Sequence, residues 1–355
     1  MAKLATRHLL TRVWWLAIIA IVSTLLALAY NRKTDGDYVF NQYSERLARV
    51  LEIDAEDLPP HAIQPSLIPL TTRTSANAMQ AYQLSVEDWW SIKHCRINQL
   101  IAQRNSSLGR VQQASQRLKY EMAIVSALKQ CALTTTEPHQ TSLLDTLLKH
   151  KQQQLINVWH HLWLSDEALS KSFVLASSGL SITSKQTQAE MATIEQSLQY
   201  LKGISEQIKT LSQSSMSNLD DALVPVAFDG VMESLYHSNG LAKLWFSQHL
   251  ALQTLTTSSQ LLSRTQVACN AQQTVLIKQF FGNYYSKQVQ PQLVLLQRYG
   301  QRIDRILQPL LATFPHAIAL RYQQVQQHQP LAAAIQQHAE LWQQQLADCG
   351  VKPGG

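Results

Sequence analysis

The stretch that decides the fold is CRINQLIAQRNSSLGRVQQASQRLKYEMAIVSALKQC, residues 95–131. Apolar residues recur at helical spacing on both sides of its central glycine, as Ile97, Leu100, Ile101 and Leu108 before it and Leu118, Met122, Val125 and Leu128 after it. Gly109 suits the left-handed backbone that closes a helix. We therefore predict that RNSSLG ends one helix, that the next begins at Gln113 or Ser115, and that the two form a helical hairpin.

The N-terminus predicts a membrane helix. Val13–Tyr30 is an apolar run without a charge, and at the helical rise it spans roughly 27 Å, close to the thickness of a bilayer core. The basic tail before it, residues 1–12, should stay in the cytoplasm, so the chain from residue 31 onward crosses the inner membrane into the periplasm. The alternative is a signal peptide cleaved after Ala29, which leaves a periplasmic protein.

Four cysteines follow, none with metal-ligand spacing: Cys95, Cys131, Cys269 and Cys349. An even number in an exported chain favours two disulfides. Three pairings are possible, and we favour Cys95–Cys131 with Cys269–Cys349, because each pair closes a local helical unit. A hairpin turning near residue 110 leaves Cys131 roughly 8 Å beyond the point opposite Cys95. The first bond thus requires that the second helix unwinds early or crosses at an angle.

Composition and charge bound the function classes. The chain has 355 residues, 45% of them hydrophobic and 15% charged, which suits a globular protein with one large or two modest cores. Three of the 30 Lys and Arg residues lie in the basic tail, so the formal charge of +6 falls to +3 after it. We take this excess as too small and too evenly spread for a nucleic-acid footprint, and we expect no nucleic-acid partner.

The chain pattern predicts an all-α protein, in which an N-terminal transmembrane helix precedes a disulfide-stapled helical-bundle ectodomain. Residues 31–84 should hold an amphipathic helix (Tyr38–Ile53) and a proline-rich extended linker (Leu58–Thr72). Residues 85–350 should form the helical periplasmic domain, with a possible joint near 165–185 or 212–230. Helical periodicity covers residues 85–107, 113–131, 141–156, 186–214, 241–265, 270–312 (with a kink expected at Pro291) and 331–348.

Cationic residues cluster around the predicted hairpin turn. Arg104, Arg110 and Arg117 could stand at the mouth of a groove that binds an anionic envelope ligand, such as a lipid headgroup or a glycan phosphate. The alternative is a solvated face paired with Glu121. The sequence has no glycine-rich phosphate loop, HExxH or GxSxG motif, so no catalytic residue, metal or cofactor is predicted.

A family resemblance rests on the stretch from Cys95 to Cys131, together with YSERLARVLEIDAEDLPP, LINVWHHLW and FFGNYYSKQVQPQLVLL. These segments resemble domain of unknown function 3080, an uncharacterised family of Gram-negative envelope proteins, over most of residues 38–350. The resemblance implies an exported, mainly helical protein with no assigned activity. Members commonly carry a lipidated cysteine directly after the signal. Here Tyr30 follows Ala29, which favours a retained membrane helix.

Three functions are compatible with these features. The first expectation is a non-enzymatic interaction or accessory protein, held at the membrane by its N-terminal helix and acting with an envelope protein partner. The second is a helical protein that binds a lipid or glycan ligand through the arginine cluster. An envelope hydrolase is a third, since the absence of a motif does not exclude an enzyme.

Overall fold

The computed structural model describes residues 36–53, 82–181, 184–213, 226–265 and 269–351, with isolated positions 18, 20, 22 and 67. Apart from those positions, the predicted membrane helix and the proline-rich linker lie outside the described residues. Every regular element that is described is helical, which confirms the all-α class. Among the described residues, no helix combines the length and apolar character that crossing a bilayer requires.

The helices are α1 (Gly36–Val50), α2 (Val86–Ser91), α3 (Ile97–Asn105), α4 (Ser107–Arg110), α5 (Ala114–Thr134), α6 (Pro138–Ser165), α7 (Glu167–Ser170), α8 (Lys185–Gln213), α9 (Phe228–His237), α10 (Gly240–Arg264), α11 (Ala271–Phe280), α12 (Gln290–Leu307), α13 (His316–Val325) and α14 (His328–Asp348). Two 3₁₀ turns, Lys171–Phe173 and Gln308–Thr313, and a π-helical segment, Phe281–Val289, connect some of them.

The bundle is built on two pairs of long helices. The three-residue connection between α5 and α6 makes them antiparallel neighbours, and α6 also packs on α8. On the other side, α10 packs on α14 and α1. One hydrophobic cluster runs through both parts, from Val39 in α1 to Leu346 in α14. The amphipathic helix that the sequence predicted at the start is thus a wall of the main core.

Both favoured disulfides are present. The Cα atoms of Cys95 and Cys131 are 5.6 Å apart, and those of Cys269 and Cys349 are 5.0 Å apart. The first bond does not need an early end to α5, which stays helical through Thr134. Instead the predicted helix 85–107 is wrong, because it breaks at a turn that contains Cys95 before α3 begins. Because Cys95 is not in a helix, the distance of roughly 8 Å expected from a continuous helical hairpin does not apply, and Cys95 can reach Cys131.

The RNSSLG turn forms for a different reason than predicted. Ser106 ends α3 and caps α4, because its hydroxyl accepts a hydrogen bond from the Gly109 amide at 3.1 Å. Gly109 does not have a positive φ, so the expected left-handed role is wrong. A Cβ atom there would lie 2.6 Å from the carbonyl oxygen of Arg104 and closer still to that of Gln103. Glycine is required by this close approach of two backbones. The next helix begins at Ala114, between the two expected starts, with Gln113 as its N-cap.

The predicted helix 270–312 is divided. A π-helical segment separates α11 from α12, and the chain returns to α-helical geometry at Gln290, directly before Pro291. Proline has no amide hydrogen to donate to the preceding turn, so it interrupts the series of α-helical hydrogen bonds. The π-helical segment lies directly before this interruption. The short helices α9 and α13 were not predicted, since each has only 10 residues.

A buried histidine joins the first and last described helices. His338 in α14 is fully buried, and its Nε2 lies 2.6 Å from the hydroxyl of Tyr43 in α1. Trp342 Nε1 donates to that hydroxyl at 2.8 Å, and Ser259 Oγ in α10 lies 2.9 Å from His338 Nδ1. Serine, histidine and tyrosine are residue types of catalytic sites, yet all of these side chains are in the core. The network therefore holds three helices in register.

We expect Gly109→Ala to lower the free energy of unfolding by about 1–3 kcal/mol, because the added methyl group collides with backbone carbonyls that cannot move aside. The measurement is the urea midpoint of the full chain. Gly203→Ala in α8 is the matched control, because a Cβ atom there meets nothing within 4 Å. That change should be neutral or slightly stabilising in a helix. Equal effects of the two substitutions would contradict the assignment.

Burial of His338 lowers its pKa from 6.5 to about 3. The unfolded chain therefore binds this proton first, so the stability that neutral His338 contributes is complete above pH 6.5 and is lost as the pH falls towards 3. We expect the stability difference between the wild type and His338→Gln to shrink by about 2 kcal/mol between pH 7 and pH 5. Urea unfolding at both pH values measures it, and a constant difference would show that His338 does not titrate in this way.

Candidate ligand-binding cleft

A cleft of about 840 Å³ opens beside the α5–α6 hairpin. This volume lies within the range of sites that hold small molecules. Its walls come from the chain before α2, from α2 to α6, and from the turn between α4 and α5. The lining residues are Tyr82, Leu84, Ser85, Val86, Trp89, Ile97, Ile101, Arg104, Asn105, Arg110, Gln112, Arg117, Tyr120, Ile124, Leu128, Leu147, Lys151 and His161.

The floor of the cleft is apolar. Ile124 and Leu128 lie one turn apart on α5, Leu147 faces them from α6, and Ile97 closes the floor from α3. All four side chains are buried by the surrounding helices, so the floor is part of the hydrophobic core and keeps its shape. A ligand that reaches this depth must offer an apolar surface.

One wall of the cleft is cationic. Arg104, Arg110 and Arg117, the three residues selected from the sequence, all line it, and Lys151 of α6 adds a fourth cation. In the part of the chain that the structure describes, no carboxylate lines the cleft. Nor does any described acidic residue pair with Arg110, which is exposed at the mouth. The wall therefore presents a concentrated positive charge to a bound molecule.

Glu121 forms ion pairs with two of the cations of this wall. Its side chain is only 2% exposed, and it forms ion pairs with Arg117 and with Lys151 Nζ, the latter at 2.9 Å. A carboxylate buried this deeply requires compensating charge. The expected pairing of the arginine cluster with Glu121 is thus present for Arg117, but it lies inside the hairpin, whereas the alternative placed it on a solvated face. One carboxylate against four cations leaves an excess of three positive charges.

Arg104 is held by the turn that follows it. Its guanidinium donates to the carbonyl of Gly109, which fixes the side chain along the edge of the cleft. Partial burial lowers the pKa of Arg104, and the nearby Arg117 lowers it further. Both causes oppose the charged form, so an anion placed between the two guanidinium groups would relieve an unfavourable interaction.

Aromatic and imidazole groups complete the wall. The guanidinium of Arg117 lies 5.5 Å from the ring centroid of Tyr120, within the range of a cation–π contact. Burial and then Glu121 raise the pKa of Tyr120, which keeps the phenol protonated. Burial, followed by the charge of Arg117, lowers the pKa of His161. Neutral His161 is held by Ser165, whose Oγ lies 3.0 Å from the imidazole Nδ1.

One group of potential metal ligands lies at the turn before α3. His94, Cys95 and Cys131 bring their ligand atoms within 4.8 Å of one another. The two sulfur atoms are bonded to each other in a disulfide, which leaves His94 as a single donor. Among the described residues this cluster does not form a metal site.

Sequence reasoning found three of the four cations and missed Lys151, Tyr120 and His161. A stripe of α5 residues at spacings of three and four, Arg117, Tyr120, Ile124 and Leu128, could have indicated the α5 wall. No local pattern relates Lys151 to it, because its contact with Glu121 joins positions 30 residues apart.

The comparisons with known proteins give one match. A family model with the description "Protein of unknown function (DUF3080)" matches residues 40–353, which include every helix from α2 to α14 and most of α1. No curated protein and no solved structure matches the chain. The chain therefore belongs to the DUF3080 family of proteins of unknown function.

Proposed function

We propose that this protein binds an amphipathic anion, a molecule with an apolar tail and a phosphate or carboxylate head, in the cleft beside α5 and α6. The observation that carries the proposal is the combination, in one cleft, of a buried apolar floor with four cations and no carboxylate among the described lining residues. An apolar ligand alone would leave the excess positive charge of the wall uncompensated. A free sugar phosphate would leave the floor without one.

The head would lie between the arginines. A guanidinium presents two parallel N–H groups that match a phosphate or carboxylate. Arg117 and Lys151 are held in place by Glu121, so little side-chain freedom is lost when an anion binds. Arg110, exposed at the mouth, is the cation best placed to meet the ligand first.

We infer that binding takes place on the periplasmic side of the inner membrane, because the two disulfides suit an oxidising compartment. The anchor at Val13–Tyr30, or its removal after Ala29, remains a prediction from the sequence. A binding role is compatible with a non-enzymatic accessory protein. An envelope protein partner remains a prediction, since nothing in the cleft selects one.

The test is calorimetric titration of the full chain, held in a non-ionic amphipol, with three probes. Decyl phosphate has both parts of the proposed ligand, decyl maltoside has the tail with an uncharged head, and glycerol phosphate has the head alone. We expect saturable binding of decyl phosphate and at least tenfold weaker binding of the other two, with empty amphipol as the blank. Equal binding of the two decyl compounds would show that the cationic wall does not contribute to binding and would contradict the proposal.

Arg110→Gln should weaken decyl phosphate binding about tenfold, the effect of losing one charge-assisted hydrogen bond of roughly 1.4 kcal/mol. Arg96→Gln is the matched control, because Arg96 is an exposed cation just before α3 that does not line the cleft. Its affinity should stay within twofold of the wild type. If both substitutions weaken binding equally, the ligand responds to overall charge and the cleft is not its site.

A further inference from the structure

Two bulky aliphatic side chains project from the turn beside the cleft. We call residues 106–113 the tip. In it Leu108 is 82% exposed and Val111 is 77% exposed. Single exposed apolar residues are common on protein surfaces. Here two of them flank the exposed Arg110 within four positions, so the tip presents apolar and cationic side chains together.

The conformation of the tip is fixed by its contacts with the end of α3. Ser106 caps α4, the backbone of Gly109 packs closely on the end of α3, and Arg104 donates to the Gly109 carbonyl. These contacts hold Leu108 and Val111 outward on a fixed turn. The exposure of the two side chains is therefore a property of the fold.

A second apolar element borders the same opening. Val86 of α2 lines the cleft together with Arg110 and is 81% exposed, and Trp90, one turn further on, is 59% exposed. The Nζ atom of Lys93 lies 3.8 Å from the centroid of the Trp90 ring. An exposed indole with an adjacent lysine is typical of side chains at the boundary between lipid and water.

Basic residues are frequent around the tip and after α2. Residues 89–120 contain six basic residues and no acidic one: Lys93, Arg96, Arg104, Arg110, Arg117 and Lys119. Glu87 and Asp88 of α2 precede this stretch and Glu121 follows it, so residues 87–121 hold six basic and three acidic residues and carry a net charge of +3. The complementary surface must be negative and must also accept apolar side chains.

We propose that the tip and α2 dock on an anionic lipid bilayer, with Leu108, Val111 and Trp90 in the interfacial region and the surrounding cations against the headgroups. Apolar burial and attraction to anionic lipid act together in such interfacial binding, and each cation near the surface adds about fivefold to the partition coefficient. The mouth of the cleft would then face the membrane. Arg110 and Val86 belong to both surfaces, but Leu108, Val111 and Trp90 do not line the cleft. The inference therefore goes beyond the proposed ligand and does not depend on it.

The test is hydrogen–deuterium exchange of the full chain in nanodiscs of phosphatidylcholine, with or without 30% phosphatidylglycerol. We expect amide exchange in residues 106–113 to slow at least fivefold in the anionic discs, and exchange in α14 to stay the same. The readout is local, so it applies whether or not Val13–Tyr30 anchors the chain in the disc. Equal exchange of the tip in both discs would overturn the proposal without any variant.

The double substitution Leu108→Ser with Val111→Ser should abolish most of the protection. Leu133→Ser is the matched control. Leu133 is 72% exposed, but it lies near the far end of α5, roughly 29 Å along the helix from its first residue. Its substitution should leave the protection of the tip unchanged. Equal loss of protection in both variants would indicate a general effect of surface polarity and would contradict docking through the tip.

The two proposals fail separately. The serine variant should still bind decyl phosphate within twofold of the wild type, because neither substituted side chain lines the cleft. A wild-type chain that is protected on anionic discs but does not bind decyl phosphate would refute the ligand and support the docking surface. A chain that binds decyl phosphate but shows no lipid-dependent protection would refute docking alone.

Discussion

A carboxylate removed from water between two helices must be compensated, and Glu121 imposes this requirement on the whole candidate site. The pairs that it forms with Arg117 and Lys151 join α5 to α6 by charge as well as by apolar packing. Loss of either cation would leave a buried charge without its full complement, which is far more costly than loss of a surface pair. The arginine and the lysine of the cleft wall are thus part of the structure of the hairpin. A bound anion would find them already in position.

The ends of α3 are held in a way that protects this geometry. At one end Cys95 is bonded to Cys131 near the end of α5, and at the other Gly109 lets the tip fold back on Gln103 and Arg104. A disulfide that closes a loop of this length contributes about 4 kcal/mol by the chain-entropy estimate. The disulfide holds the start of α3 against α5, and the contacts of Gly109 hold the tip against the other end of α3. The second disulfide joins the end of α14 to the residues just before α11.

Sequence periodicity predicted the helical class, the pairing of the cysteines and the cluster of Arg104, Arg110 and Arg117, since each depends on spacing along the chain. It could not predict contacts between distant positions. Lys151 reaches Glu121 across the hairpin, and Tyr43 meets His338 from a position 295 residues away. The reason for Gly109 was also inaccessible. The residue type indicated a special backbone, but only the fold distinguishes a left-handed turn from a close approach of two backbones.

The distribution of charge gives the two proposals a common physical basis. Six like charges within residues 89–120 repel one another. Glu121 offsets part of that repulsion at Arg117, and Asp229 offsets part of it at Lys119. The lowered pKa of Arg104 reflects the burial and the repulsion that remain. A fold that keeps such an excess loses stability as an isolated molecule. It would regain that stability if, as we propose, an anion lay in the cleft or an anionic surface lay against the tip. Because Arg110 lines the cleft and also stands between Leu108 and Val111, it can respond to both, so a ligand that leaves the bilayer at this point would remain in contact with the same cation.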